Sequence, residues 1–284
     1  MIVDLILIKL RVYHARLTNK WFLVSQLVQS ALCTKPSLNI LFTDHPGLKP
    51  VLQKAFKFSK HNISFLAFSA ENIKKHDLVV PLTLPDLKSL NEQRKLVNSN
   101  LIPIPSTQSI VLADDKHLFN QSLTAKGYGK HIPKIGGKQQ YPYMLKKSIG
   151  HSSENCHIIF NSQQELGLSE TIANPDYFTQ EMIKGKSEYA THILFKDQKI
   201  ISSLNIQYYF DTETPIKGKN KPLYTKICHC PHLAMFSAIL VLIGFEGLCC
   251  FNYKELEDIL YIIESNPRFG GSLASYFPSF IKQL

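Results

Sequence analysis

Six cysteines in 284 residues show no spacing that would build a secreted disulfide framework. Cys249 and Cys250 are adjacent inside an apolar run, which reads as a buried strand with free thiols. A reducing, cytoplasmic setting is the simplest inference. A membrane-spanning start is missing too. Met1 to Leu10 is apolar, but Asp4 and Lys9 interrupt it, and it is half of the roughly 20 residues a span requires. A signal peptide wants a basic start and a small-residue cleavage site, and neither is clear. No Gly-x-Gly-x-x-Gly occurs, so a dinucleotide fingerprint is absent. No internal repeat is visible. With 44% apolar and 19% charged residues, disordered and collagen-like chains are excluded. The length bounds one large domain or two to three small ones.

Acidic residues are outnumbered, giving a formal charge of +10, and the excess is local. Residues 1–100 carry 14 Lys/Arg against 6 Asp/Glu, residues 101–200 carry 11 against 9, and residues 201–284 carry 7 against 7. That split disfavours a protein coated uniformly with nucleic acid. Lys54, Lys57 and Lys60 recur at a three-residue step, the signature of a solvated helix face, and no nucleic-acid-binding motif accompanies them.

Residues 1–36 read as an amino-terminal extension that packs on the next domain, with a membrane-surface anchor as the alternative. Leu38–Thr43, Ile63–Phe68 and Asp77–Leu82 read as strands separated by helices, a βαβ rhythm for a small parallel-sheet domain over 37–105. Beyond it, a helix at Lys116–Lys126 is followed by strands at Tyr143–Lys147 and His157–Asn161 and a helix at Ser162–Leu168. Longer strands follow at Tyr177–Ile183, Tyr189–Phe195 and Lys199–Phe210. A helix near His232–Gly244 and strands at Gly247–Tyr253 and Leu260–Glu264 complete an α+β domain over 106–284.

The strongest chemical signal lies at the end. Asn252 sits on one strand, Glu264 and Asn266 on the next, and Arg268, Gly270, Gly271 and Ser272 follow. Alternation puts Glu264, Asn266 and Arg268 on one face. A carboxylate and two amide oxygens are hard ligands suited to Mg²⁺. Arg268 adds a planar fork for phosphate or carboxylate. A strand with ordinary surface polar groups would explain Glu264 alone, but not the whole run.

That run, Ile263-Glu264-Ser265-Asn266-Pro267-Arg268-Phe269-Gly270-Gly271-Ser272, resembles the terminal motif of ATP-grasp enzymes, the carboxylate–amine ligase superfamily, and is most similar to the carbamoyl-phosphate-synthetase-like branch. The resemblance implies an α+β ATP-grasp fold whose two halves, about 106–178 and 179–284, clamp a nucleotide. It also implies a Rossmann-like α/β domain before them. It implies ATP and Mg²⁺ as cofactors, with Mn²⁺ as a substitute. Small-molecule carboxylate and amine (or thiol) substrates would be its partners.

Carried over residue by residue, Lys116 of Asp115-Lys116 would reach phosphate, and so would Lys146 of Pro142-Tyr143-Met144-Leu145-Lys146. Alternation points Lys147 the other way. Gly150, Ser152 and Ser153 would form the phosphate loop, although it is less glycine-rich than the family usually shows. Gln180-Glu181-Met182-Ile183 matches the hinge that contacts adenine through backbone groups. Glu188, seven residues after Glu181, would hold the ribose. From Glu188, alternation brings His192 to the same strand face, as a cleft residue or as an ordinary sheet histidine. Glu264, Asn266 and Asn252 would hold the metal. Arg268, the Gly270–Ser272 turn and His192 would face the substrate. Asn252 is a departure, since many members carry Asp or Glu there, and an amide brings no charge.

Two alternatives remain open at this point. Asn252 and the spare phosphate loop also fit a non-catalytic nucleotide-binding or regulatory protein. Cys228-His229-Cys230-Pro231-His232 offers four zinc-type ligands at poor spacing, or a helix-entry loop with free thiols. The chain ends about twelve residues after the Gly-Gly-Ser turn. The acceptor pocket is therefore expected from the βαβ domain, from the Tyr208–Gly218 segment, or from a second subunit of a homo-oligomer.

Overall fold

The structure is a computed structural model that describes residues 2–31, 36–93, 102–150, 153 and 155–283. The first helix, α1 (Ile2–Ala31), is continuous for 30 residues. Among the described residues no helix is long and apolar enough to cross a membrane.

A three-stranded parallel sheet follows, in the order β2-β1-β3, with β1 at Asn39–Phe42, β2 at Asn62–Phe65 and β3 at Leu78–Val80. Ile40 pairs with Ile63 on one side and Leu78 on the other. The runs Ile40–Phe42 and Leu78–Val80 are wholly buried, as strands covered on both faces must be. The covers are short helices: α2 (Lys49–Phe56), α3 (Ala70–Lys74) and α4 (Leu84–Glu92). Leu52 and Phe56 put α2's buried stripe at i, i+4, and its exposed lysine is Lys54. Lys60 lies past the helix end, so the three-lysine face is only partly helical. Helix α4 starts with a capping box in which Thr83 accepts from the Asp86 amide and Asp86 accepts from the Thr83 amide. Asp86 Oδ2 also accepts from the Thr43 hydroxyl at 2.7 Å, tying the ends of β1 and β3 together.

Helices α5 (Thr107–Asp114) and α6 (Lys116–Leu123) lead into a three-stranded antiparallel sheet, β5-β4-β6. Its strands are β4 (Tyr143–Lys147), β5 (Cys156–Ile159) and β6 (Tyr177–Glu181), with α7 (Ser162–Gly167) and α8 (Ser169–Ala173) between the last two. The chain then enters a five-stranded antiparallel sheet ordered β11-β10-β7-β8-β9. These are β7 (Ser187–Lys196), β8 (Lys199–Tyr209), β9 (Tyr224–Cys228), β10 (Gly247–Leu256) and β11 (Ile259–Asn266), with α9 (Leu233–Leu242) before β10.

The large sheet has two unlike faces. On one, Ile193, Phe195, Cys249, Phe251, Tyr253 and Ile262 pack with α9, where Phe236 stacks on Phe251 at 4.4 Å. The other face carries Glu188, His192, Asn252 and Glu264. A β-bulge makes this possible. Asn252 pairs with Glu264 but Tyr253 pairs with Ile262, so Ile263 is extra. Without the extra residue, Ile262 and Glu264 would share a face; the bulge sends one to the core and the other to the cleft.

The carboxyl-terminal 3₁₀ segment Gly271–Ser279 returns to the parallel sheet. Phe277 meets Phe42 at 5.9 Å and Phe269 at 5.0 Å, and one core cluster includes both regions. Helix α1 lies along β9 rather than on the parallel sheet that follows it. The Asn19 side chain donates to Thr225 O at 2.8 Å and accepts from Ile227 N at 2.9 Å. Phe22 meets Tyr276 edge-on at 5.8 Å.

Gly247 opens β10 at φ +107, and a Cβ there would stand 2.5 Å from Pro103 O and 3.0 Å from Pro105 Cδ. Glycine is required on both counts, because the backbone is left-handed and the 103–105 linker presses on it. Gly247→Ala should lower stability by at least about 2 kcal/mol, read as a shift of the urea midpoint at unchanged slope.

Candidate active site

A cleft of about 640 Å³ lies between the small and large antiparallel sheets, roofed by the parallel-sheet domain. Among the cations that line it are Lys116, Lys146, Arg268 and Lys217. Lys116 begins α6, where Asp115 caps the helix by accepting from Leu118 N. Its ammonium donates to Gly150 O at 3.0 Å and stands 3.7 Å from Glu264 Oε2. Lys146, on the central strand of the small sheet, is buried and donates to Gln180 Oε1 at 2.6 Å. Its neighbour Lys147 turns outward to Asp176 at 3.7 Å. Arg268 follows β11 and lines the cleft, donating weakly to Phe269 O at 3.4 Å. The last of these, Lys217, comes from the loop between β8 and β9.

The oxygen donors are equally concentrated. Glu264 Oε1 accepts from Asn252 Nδ2 at 2.6 Å and from Asn266 Nδ2 at 3.2 Å. Burial pushes the Glu264 carboxyl up, but Lys116, Lys146, Lys217 and the Asn266 bond outweigh it, so it is held below the usual carboxylate range. Burial pushes Glu188 the other way, above that range, with Lys217 and Lys254 only partly offsetting it. Among the described residues no three His, Cys, Asp or Glu side chains converge as a metal site. A cation here would depend on the Glu264 carboxylate with the Asn266 amide beside it, which fits Mg²⁺ when phosphate oxygens and water complete the shell.

The expected hinge lines the cleft through Glu181, Met182, Ile183 and, further on, Glu188. Its side chains are otherwise engaged. Glu181 Oε2 accepts from Lys134 N at 3.1 Å, and Glu188 stands 3.8 Å from the Lys217 ammonium. Gln180 is displaced from the nucleotide-facing role expected of it. It is fully buried behind Lys146 and serves to orient that lysine. In the loop, Gly150 lines the cleft, while Ser153 Oγ donates to Lys217 O at 2.8 Å. Ser152 lies outside the described residues.

At the far end His192 is a cleft residue. Its Nε2 is 2.8 Å from Ser272 Oγ, and its Nδ1 has no partner among the described residues. Gly270 rests on the ring so closely that a Cβ would stand 2.3 Å from Cε1, which explains the glycine. Gly271 has no such constraint, its nearest neighbour to a Cβ being Leu48 at 3.8 Å. Desolvation, with Lys217 adding to it, pushes His192 down to about 3.

Two cleft lysines, Lys217 and Lys254, were not singled out by the sequence reading. Lys217 sits in a loop with no periodicity to place it. Lys254 was within reach: it stands two residues after Asn252 on β10, and its ammonium donates to Ile183 O and Gly185 O at 3.0 Å each, bracing the hinge. His45 and Leu82–Pro85 belong to the parallel-sheet domain and form the cleft's outer lip with Tyr208 and Pro215–Gly218. The zinc alternative finds its ligands dispersed. Cys228 ends β9 and accepts from Asn205, Cys230 packs near Tyr253, and His232 Nε2 bonds Glu255 at 2.6 Å.

In sequence, neither a family model nor a curated protein matches the chain. The architecture, however, is that of the ATP-grasp ligases. D-alanine–D-alanine ligase from Bacillus anthracis superposes with a TM-score of 0.57 at 15% identity, over 86% of this chain and 90% of that one. Phosphoribosylamine–glycine ligase from Thermotoga maritima gives 0.59 at 12% identity, over 84% and 70%. The L-amino acid ligase from Bacillus licheniformis gives 0.56 at 13% identity, over 86% and 70%.

The unfolded reference for His192 is 6.5 and the folded value is about 3. As pH falls, the unfolded chain takes the proton first. The stability from neutral His192 is therefore complete above about pH 6.5 and is lost progressively below it. In thermal melts, the advantage of the wild type over His192→Gln should narrow from pH 7 to pH 5. An advantage that holds constant would contradict a neutral, buried imidazole.

Proposed function

We propose that the chain is an ATP- and Mg²⁺-dependent ligase that activates a substrate carboxylate as an acyl phosphate for attack by an amine or other nucleophile. One observation carries the reading: lysine ammonium groups from helix α6 and the small sheet line the same cleft as a large-sheet carboxylate flanked by two amides. That is the equipment phosphoryl transfer needs, because its barrier falls mainly by positioning and charge neutralisation.

Adenine would lie against Glu181–Ile183, with Glu188 at the ribose. The Lys254 contacts keep that backbone in place. Lys116 and Lys146 meet the phosphates, and Gly150 offers backbone room beside them. Glu264 and Asn266 would hold Mg²⁺, with Asn252 fixed beside them, and the ion would supply Lewis acidity that offsets phosphate charge. Arg268 faces the developing charge as the γ-phosphoryl group leaves ADP for the substrate carboxylate. The nucleophile then attacks the acyl carbon, and phosphate departs with the former P–O–C oxygen. The Gly270–Ser272 turn and His192 bound the acyl end. The lip formed by His45 and Leu82–Pro85 makes the parallel-sheet domain the natural source of acceptor contacts.

Coupled ADP release, screened against panels of amino acids, small peptides and bicarbonate with amine acceptors, tests this reading. Turnover should require both a carboxylate and a nucleophile. Glu264→Gln should reduce it by at least about a hundredfold while leaving the circular dichroism spectrum unchanged. Undiminished turnover in that variant would remove Glu264 from the metal site. A chain that binds Mg-ATP tightly but forms no ADP with any acid would contradict the ligase assignment.

A further inference from the structure

Lys217 reaches the cleft from the loop between β8 and β9, and several bonds hold that loop in place. Its loop is tied to the small sheet by Ser153 Oγ donating to Lys217 O at 2.8 Å and by Lys219 Nζ donating to Cys156 O at 2.7 Å. On the other side Gly185 N donates to Glu213 O at 2.8 Å. Within the loop, Asn220 Oδ1 accepts from Ile216 N at 2.7 Å, and Gly218 adopts φ +100. The ammonium is thus delivered into the cleft by a braced loop that bridges both sheets.

Its surroundings hold it without saturating it. The Asn252 Oδ1 atom accepts from Lys217 Nζ, Glu188 Oε1 lies 3.8 Å away, and the Tyr208 ring presents its face at 4.8 Å. The side chain keeps 24% of its surface exposed, and that surface lines the cleft. A charge whose closest partner is a neutral amide, and whose carboxylate neighbour Glu188 stands off at 3.8 Å, remains available to an anion.

Asn252 is fixed from both ends. Its oxygen faces Lys217 and its Nδ2 faces Glu264. Turning the amide over would aim N–H groups at an ammonium, so the lysine locks the amide's orientation. The locked amide then presents N–H, not oxygen, toward the only carboxylate of the motif. A divalent ion held by residue 252 and Glu264 together would have to expel Lys217 or turn Asn252 against it. One ion on Glu264 and Asn266, with phosphate oxygens and water, needs neither; the Asn266 amide donates to Glu264 only at 3.2 Å, and among the described bonds no lysine fixes its orientation.

Building on the ATP reading above, we propose that Lys217 is a permanent cation of the polyphosphate site. Paired with Asn252, it supplies positive charge where a carboxylate at position 252 would recruit a further divalent ion, and the cleft therefore takes one metal ion per nucleotide.

The test counts Mn²⁺ bound per bound adenosine 5′-(β,γ-imido)triphosphate, by electron paramagnetic resonance of free Mn²⁺ alongside calorimetry of the nucleotide. The wild type should bind one ion, and the Asn252→Asp, Lys217→Met double variant two. Lys217→Met alone should weaken nucleotide binding at least tenfold, with Lys217→Arg recovering most of it. Two ions in the wild type, one ion in both proteins, or unchanged affinity in Lys217→Met would each overturn the inference while leaving the ATP reading intact. The wild-type count decides even if a variant fails to fold. A wild type that binds no nucleotide would instead overturn the ATP reading, and this inference with it.

Discussion

A carboxylate taken out of bulk water must find compensating charge and donors that stay in place. Glu264 does so with two asparagine amides on one oxygen and the Lys116 ammonium near the other. Much of the architecture follows from that requirement. Lys116 is at the right height because Asp115 starts α6 there and because Lys116 N donates to Ser148 O at 2.9 Å, joining the helix to the end of the small sheet. Asn252 is at the right depth because β10 runs between β7 and β11. The charge centre thus links the two antiparallel sheets, and a nucleotide would enter a site whose cations are already gathered.

The large sheet reconciles two demands that strict alternation sets against each other. Its outer strand must give Leu260 and Ile262 to an apolar core and, two residues on, a carboxylate to a polar cleft. One extra residue at Ile263 resolves the conflict. The same strand end then runs through Pro267 and Phe269 into the 3₁₀ segment, which packs on Phe42 and Phe56 of the parallel domain. Site geometry and interdomain packing are consecutive parts of one chain segment. A substitution at Phe269 or Phe277 would be felt at Arg268 and Gly270 as well as in the core.

Local pattern made much of this legible. Alternation separated Lys146 from Lys147 and linked Glu188 to His192, because period-2 geometry is a property of the strand itself. The Glu264–Ser272 run was legible because its residue types are chemically unusual together. What depended on distant partners was not. Nothing near Gln180 announces that Lys146 takes its oxygen, and nothing near Ser153 announces the Lys217 carbonyl. The bulge was hidden because Ile262 and Ile263 read equally well as core. Lys217 was hidden because its position is set by contacts to residues 29 to 64 places away in sequence. Strand β9 was missed for a similar reason: its five residues are only half-buried, and their role comes from β8 and α1.

The two bonds that Asn19 makes to β9 are those a peptide group makes, one donated and one accepted by atoms of a single planar amide. A side chain here impersonates one rung of a sixth strand. Edge strands with free amides and carbonyls invite pairing with other molecules, and proteins commonly deflect that with charge, proline or a covering segment. Helix α1 covers the edge and also satisfies it at Thr225 and Ile227, so the β9 edge of the large sheet is closed to β-addition there by a helix that itself cannot propagate a sheet.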